Sequence, residues 1–123
     1  MSKYNESAAA FVSALFHSAT VTHFMHLQTK SFAQHMALGE YYDAIVELAD
    51  KWAEAYQGCY DIITNYPKDF HHGSTDPVKY LTQIKEFVDN IRKDLPSESQ
   101  LQNIVDEIAD QIDSTLYKLR FLK

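Results

Sequence analysis

The sequence predicts an all-α protein, a four-helix bundle in which residues 1–123 form a single domain. Three observations lead there. Apolar residues recur at helical spacing in four separate blocks, and helices with one apolar stripe each bury those stripes most simply against one another. Gly and Pro number only three each, too little punctuation for the many tight turns of a sandwich or barrel. With 123 residues, 46% of them apolar, the chain can fill one real core but not two.

The first helix is expected from Ser2 or Asn5, with Val12, Phe16, Ala19 and His23 on one stripe, which puts His23 on the inward face. The second runs from Ser31, a candidate N-cap, towards Thr64, with Phe32, His35, Tyr42, Val46, Asp50 and Ala53 close to one line and few breakers before Gly58. The third opens at Ser74-Thr75-Asp76 with Pro77 at its first helical position. It continues through Leu81, Ile84, Val88, Ile91 and Leu95 until Pro96 stops it. Ser97-Glu98-Ser99-Gln100 reads as a capping box for the fourth helix, whose stripe is Leu101, Ile104, Val105, Ile108, Ile112, Leu116 and Leu119. Lys118, Arg120 and Lys123 then sit where a helix dipole favours cations.

The only long connection is residues 65–76, whose Pro, Gly and polar residues mark a loop. A helix of about 24 residues is roughly 36 Å long, and about eleven extended residues span at most roughly 36 to 40 Å. A crossover from one end of the bundle to the other is therefore just within reach. Alternatively the second helix ends at Gly58 and residues 59–64 form a short extra helix; the pattern leaves both open.

Seventeen acidic against eleven basic residues give a net charge of -6, which repels phosphate backbones and anionic lipid heads, so neither a nucleic acid nor a membrane is an expected partner. No stretch approaches the roughly 18 apolar residues of a membrane span, and the N-terminus has no basic region followed by an apolar run. A single cysteine, Cys59, excludes an internal disulfide and fits a reducing compartment. The expectation is a soluble, unprocessed, cytoplasmic protein.

The stretch from Thr22 to His35 holds three histidines, His23, His26 and His35. On the inward side, His23 and His35 are joined by Asp50 and Glu54, which are neighbours on one helix turn. Buried imidazoles and carboxylates are costly unless paired or bound to a cation, and two of each in a bundle core suit iron, manganese or zinc. Taken singly, a histidine on an apolar stripe is more often a hydrogen-bonded core residue, and an Asp and Glu four apart more often a solvated face.

From Thr22 to Gly58 the sequence resembles the Dps family of ferritin-like mini-ferritins. The family's ferroxidase motif has a His, a second His twelve later, and Asp and Glu fifteen and nineteen after that, matched here by His23, His35, Asp50 and Glu54. Phe24 follows the first His where the family usually has Trp, and D50-K-W-A-E54 is similar to its D-x-x-A-E. In its trimmed length the chain is also similar to ferritin-like proteins encoded by bacteriophages, a likeness that rests on no motif.

The resemblance implies a ferritin-like bundle that binds Fe(II), oxidises it with peroxide or dioxygen, and stores the product. His23, Asp50 and Glu54 would be ligands. It also implies a site shared between two chains, the His pair from one and the Asp-Glu pair from its twofold mate. The chain would then be at least a dimer, with a dodecameric shell as the family's usual assembly. One position departs: four residues after the second His the family usually carries another Asp, and this chain has Gly39. Glu40 is next but is turned by about 100 degrees, and His26 is the spare donor. His71-His72 are expected to stay solvated in the loop, Cys59 to be a small buried hydrophobe, and the many aromatic residues to be packing, with a Tyr or Trp52 available to relay electrons near iron. The competing readings are a metal-free bundle that serves as a protein-interaction or structural module, its site decayed at Gly39, and a bundle that binds another divalent metal or a small molecule without redox chemistry.

Overall fold

The computed structural model describes residues 2–69 and 73–123, and among them four α-helices and one short 3-10 turn account for all regular structure. Helix α1 spans Asn5–Gln28, α2 Phe32–Cys59, α3 Pro77–Ile91 and α4 Ser99–Phe121. The 3-10 turn Arg92–Asp94 continues α3 towards Pro96. The all-α four-helix bundle expected from the pattern is the fold found.

Local chemistry sets two of the four helix starts. Ser31 caps α2 by accepting from the Gln34 amide at 3.2 Å, and Asp76 caps α3 by accepting from the Lys79 amide at 3.2 Å, with Pro77 directly behind it. The expected capping box at Ser97–Gln100 does not form. Glu98 occupies the N-cap of α4 without a side-chain bond to the helix, because its carboxylate instead accepts the Tyr60 hydroxyl at 2.5 and 2.7 Å. Asn5 is no cap either: its side chain bonds both backbone groups of Thr64, at 2.9 and 3.0 Å, and so ties the end of α2's connection to the start of α1.

The connection settles the topology. Residues 59–64 form no extra helix; α2 stops at Cys59, and the described part of the crossover passes alongside α1 from Asn5 to Gly73, which lies by Val21 and Met25. It thus returns the chain from one end of the bundle to the other. Helix α2 faces α4 in antiparallel register through Tyr60–Glu98, Lys51–Glu107 and Glu40–Lys118. Helix α3 faces α4 likewise through Arg92–Asp106 and Lys85–Asp113. The result is an up, down, down, up bundle with one long crossover, the connectivity of ferritin-like folds.

One continuous core runs through all four helices. Helix α4 buries its whole expected stripe from Leu101 to Leu119. Helix α2 does not: it buries Leu38, Tyr41, Ile45, Ala49, Trp52 and Tyr56, one residue out of phase with the line Tyr42, Val46, Asp50. Ala53 is the one member of that line in the core. A one-residue shift rotates the helix by about 100 degrees, so Asp50 and Glu54 face outwards and are exposed. On α1, Val12 and Ala19 are buried, whereas Phe16 and His23 are exposed. Cys59 is also exposed, not buried, its sulfur near the Gln100 amide. By length and composition α1 could cross a membrane, but 56% of its apolar window is buried within the bundle, which accounts for its apolarity.

Among the described residues the buried Ser, Thr and Asn side chains are hydrogen-bonded, whereas the Trp52 indole N–H and the Tyr56 and Tyr80 hydroxyls are buried without a partner. Ser18 donates to the Leu15 carbonyl at 2.7 Å, so its oxygen is left to accept from the Tyr41 hydroxyl at 2.8 Å. Burial pushes the Tyr41 phenol up, opposed by that bond. Trp52 is fully buried against Phe11, with ring centroids 4.9 Å apart, and begins a stacked series through Tyr56 to Tyr60.

Two measurements check this arrangement. Ile45→Ala should cost about 2–5 kcal/mol in urea unfolding of the dilute chain, while Val46→Ala should cost less than about 1 kcal/mol, reversing the order that the sequence line implies. The Tyr60 phenol is pushed up to about 12, chiefly by donating to Glu98. Its stabilisation is therefore complete below about pH 10 and lost as pH rises through the folded value. In Glu98→Gln, phenolate absorbance should show one tyrosine titrating nearer its ordinary range.

Candidate functional site

The turn between α1 and α2 brings the three histidines together. His26 comes from the last turn of α1 and His35 from the first turn of α2; their rings stack with centroids 3.6 Å apart and planes 18° apart. Each ring nitrogen Nδ1 bonds the other residue's backbone carbonyl, His26 to His35 at 2.6 Å and His35 to His26 at 2.8 Å. A carbonyl oxygen can only accept, so both Nδ1 atoms carry a proton, the tautomer that in a neutral imidazole leaves the lone pair on Nε2. His23 lies alongside, stacked on Tyr42 at 4.1 Å and edge-on to His26 at 6.0 Å. His26 and His35 are half-buried and His23 is exposed.

Gly39 acquires a physical reason here. A Cβ at that position would lie 3.2 Å from Cε1 and 3.3 Å from Nδ1 of His26, so the glycine makes room for the imidazole. The position where the resembled family usually has a carboxylate is closed over by a histidine ring. Glu40, one step on, is turned towards α4 and paired with Lys118. It stands away from the histidines as a candidate donor because the partner it has found is a cation on a different helix. Phe24 is exposed and lies towards Gly73–Thr75 at the start of α3, away from the His26–His35 pair. The His71-His72 pair falls outside the described residues.

Asp50 and Glu54 lie further along α2, exposed, with no ion pair or side-chain hydrogen bond between described residues. Asp50 is fifteen residues from His35 on one helix, which is roughly 22 Å. Consistent with that span, no three His, Cys, Asp or Glu side chains among the described residues gather closely enough to hold a metal. The two halves of the expected ligand set nevertheless share one surface. Between them an open groove of about 640 Å³ runs along the α1–α2 layer, lined by Phe16, His23, Tyr42, Asp43, Val46 and Glu47. Phe16, Phe32, Met36 and Val46 add exposed apolar area to this layer.

The His26–His35 pair was within reach of the sequence only as two histidines nine apart across a helix turn. The carbonyl bonds that define the pair depend on how the helices cross, which no residue spacing encodes. The same holds for the Tyr60–Glu98 bond.

The fold and the groove together define a four-helix bundle with one long crossover and an unpartnered face that carries imidazoles at one end and carboxylates at the other. The chain belongs to the DUF5856 family, a family of unknown function, which it matches over residues 26–119. It is 31% identical, over 108 residues, to an uncharacterized 14.6 kDa protein of the mobD-ri intergenic region in Enterobacteria phage T4, covering 86% of this chain and 77% of that one. No solved structure matches it.

Since both carboxylates are solvated and unpaired, Asp50→Asn with Glu54→Gln should leave the urea midpoint of the chain unchanged. Were these groups packed in the core, the same double change would move it clearly.

Proposed function

We propose that the protein is a ferritin-like bundle that binds Fe(II) as substrate at a site completed by a second copy of the chain. The observation that carries this reading is the placement of the ligand set. His23, Asp50 and Glu54 are exposed and His35 is half-buried along the α1–α2 layer, yet roughly 22 Å of straight helix separates His35 from Asp50 within one chain. A twofold partner laid antiparallel on that face would bring its carboxylates to the first chain's imidazoles, twice over. The donor set is mixed nitrogen and oxygen, suited to Fe(II), with carboxylates that favour the Fe(III) product. With peroxide, two Fe(II) each lose one electron; peroxide and two protons become two waters, and the Fe(III) is retained. Assembly is at least dimeric, and a closed shell of twelve is the form the resemblance implies. The acidic surface argues against nucleic acid or anionic membrane as partner.

A second reading is favoured by one specific observation. His26 and His35 satisfy each other across the α1–α2 turn, so a metal-free bundle used for protein interaction would have reason to keep both.

Stoichiometric Fe(II) with peroxide should produce the ultraviolet absorbance of a ferric product in wild-type protein, and light scattering should report a dimer or larger. His35→Ala and Glu54→Ala should each lose the signal. Mixed after unfolding and refolding together, the two variants should recover about a quarter of it, since half of random dimers are mixed and each holds one intact site. No ferric signal from the wild type removes the metal reading; a signal that mixing does not restore removes the shared site.

A further inference from the structure

From the stacked pair at the α1–α2 turn we infer that His26 is a positioning residue, whose ring fixes which nitrogen His35 offers to a metal and in which direction. The inference rests on reading His35 as a donor. Its geometry does not. Imidazole in water exchanges its proton between two nitrogens and swings about two torsions, and a ligand that does both binds a cation weakly. Here neither freedom is left. The His35 proton is held on Nδ1 by the His26 carbonyl at 2.8 Å, and the ring plane is held by the His26 ring lying 3.6 Å away and nearly parallel. His26 is itself anchored, through Nδ1 to the His35 carbonyl at 2.6 Å. Neither Nε2 has a hydrogen-bond partner among the described residues.

A metal-binding histidine ordinarily donates its other ring N–H to a carbonyl or carboxylate, which sets tautomer and orientation before the ion arrives. In this chain that support is built from the neighbouring helix end, and the space for it exists because residue 39 has no side chain. The absence of a side chain at residue 39 and the seating of His26 are thus one structural feature.

Nitrogen NMR of the imidazoles in metal-free protein tests the proposal without requiring a metal. Wild-type His35 should carry its proton on Nδ1. His26→Ala keeps the backbone carbonyl but removes the ring, and His35 should then shift towards the Nε2-protonated form with faster exchange. Gly39→Ala, which adds only a methyl group against Cε1 and Nδ1 of His26, should give the same signature by displacing the His26 ring. His26→Phe, which restores a stacked face, should recover the Nδ1 form. Anaerobic Fe(II) affinity should fall about 10- to 100-fold in the first two variants and recover in the third. His35 spectra unchanged in both His26→Ala and Gly39→Ala would overturn the inference. So would altered spectra with unaltered Fe(II) affinity. A wild type that binds no Fe(II) at all would sink the proposed function, while the imidazole spectra still decide whether His26 holds His35.

Discussion

The outer face of α1 and α2 follows from the rotational phase of α2. The helix turns Tyr41, Ile45, Trp52 and Tyr56 fully into the core, and each such side chain gains about 1.5–3 kcal/mol or more from leaving water. Rotating by one residue would exchange those groups for Tyr42, Val46 and Asp50. That rotation loses aromatic area and brings an ionised carboxyl into the core, where the penalty is several kcal/mol without a partner. The competition is one-sided, and its outcome puts Asp50, Glu54 and the Val46 side chain outside. Helix α1 answers with Phe11, Val12 and Leu15 inward, leaving Phe16 and His23 out.

Sequence reasoning reads α3 and α4 well for a reason that also explains its failure on α1 and α2. In α4 every apolar residue of the stripe is buried and the opposite face is charged, so period and phase coincide. In α1 and α2 apolar residues occupy two faces: the core stripe, and a second set comprising Phe16, Phe32, Met36 and Val46 that stays exposed in the single chain. Two overlapping stripes have the same period but different phases. Spacing alone therefore finds the helix and cannot say which stripe is the core. The line through Tyr42 and Asp50 is real; it belongs to the outer face. The Ser31 cap and the Asp76-Pro77 start were readable because each depends on local backbone chemistry, whereas the crossover, expected over residues 65–76, already begins at Tyr60 because α2 stops at Cys59. The Glu98 cap failed because a distant phenol competes for the same carboxylate.

At Gly39 the two kinds of reading meet. Seen as a motif, the glycine is an absence, a departure from the pattern that the sequence resembles. Seen in space, it is what permits two imidazoles to stack where α1 gives way to α2. An alanine there would press on the ring at 3.2–3.3 Å, tighter than ordinary van der Waals contact. The turn joining the helices is short, Thr29 to Ser31, and the paired imidazole–carbonyl bonds fasten it from the side. The histidine-rich stretch therefore has a structural occupation whatever it binds.

The second apolar stripe is where the argument for a partner rests, and charge decides how that partner would lie. Along the α1–α2 face the imidazoles and Lys30 cluster near the turn, while Asp43, Glu47, Asp50 and Glu54 occupy the length towards the other end. A parallel second copy would set carboxylates against carboxylates over most of the contact, and like charges brought together cost energy and steer chains apart. An antiparallel copy sets Asp50 and Glu54 against the end that carries the imidazoles and Lys30 and leaves only Asp43 near its own copy, around the exposed Phe16 and Val46 side chains. Burying that apolar area is worth the same in either orientation, so the electrostatic difference alone selects between them. The proposed pairing is thus the one that the outer face of α1 and α2 favours before any metal is considered, and a cation between imidazole and carboxylate would add to a preference already present.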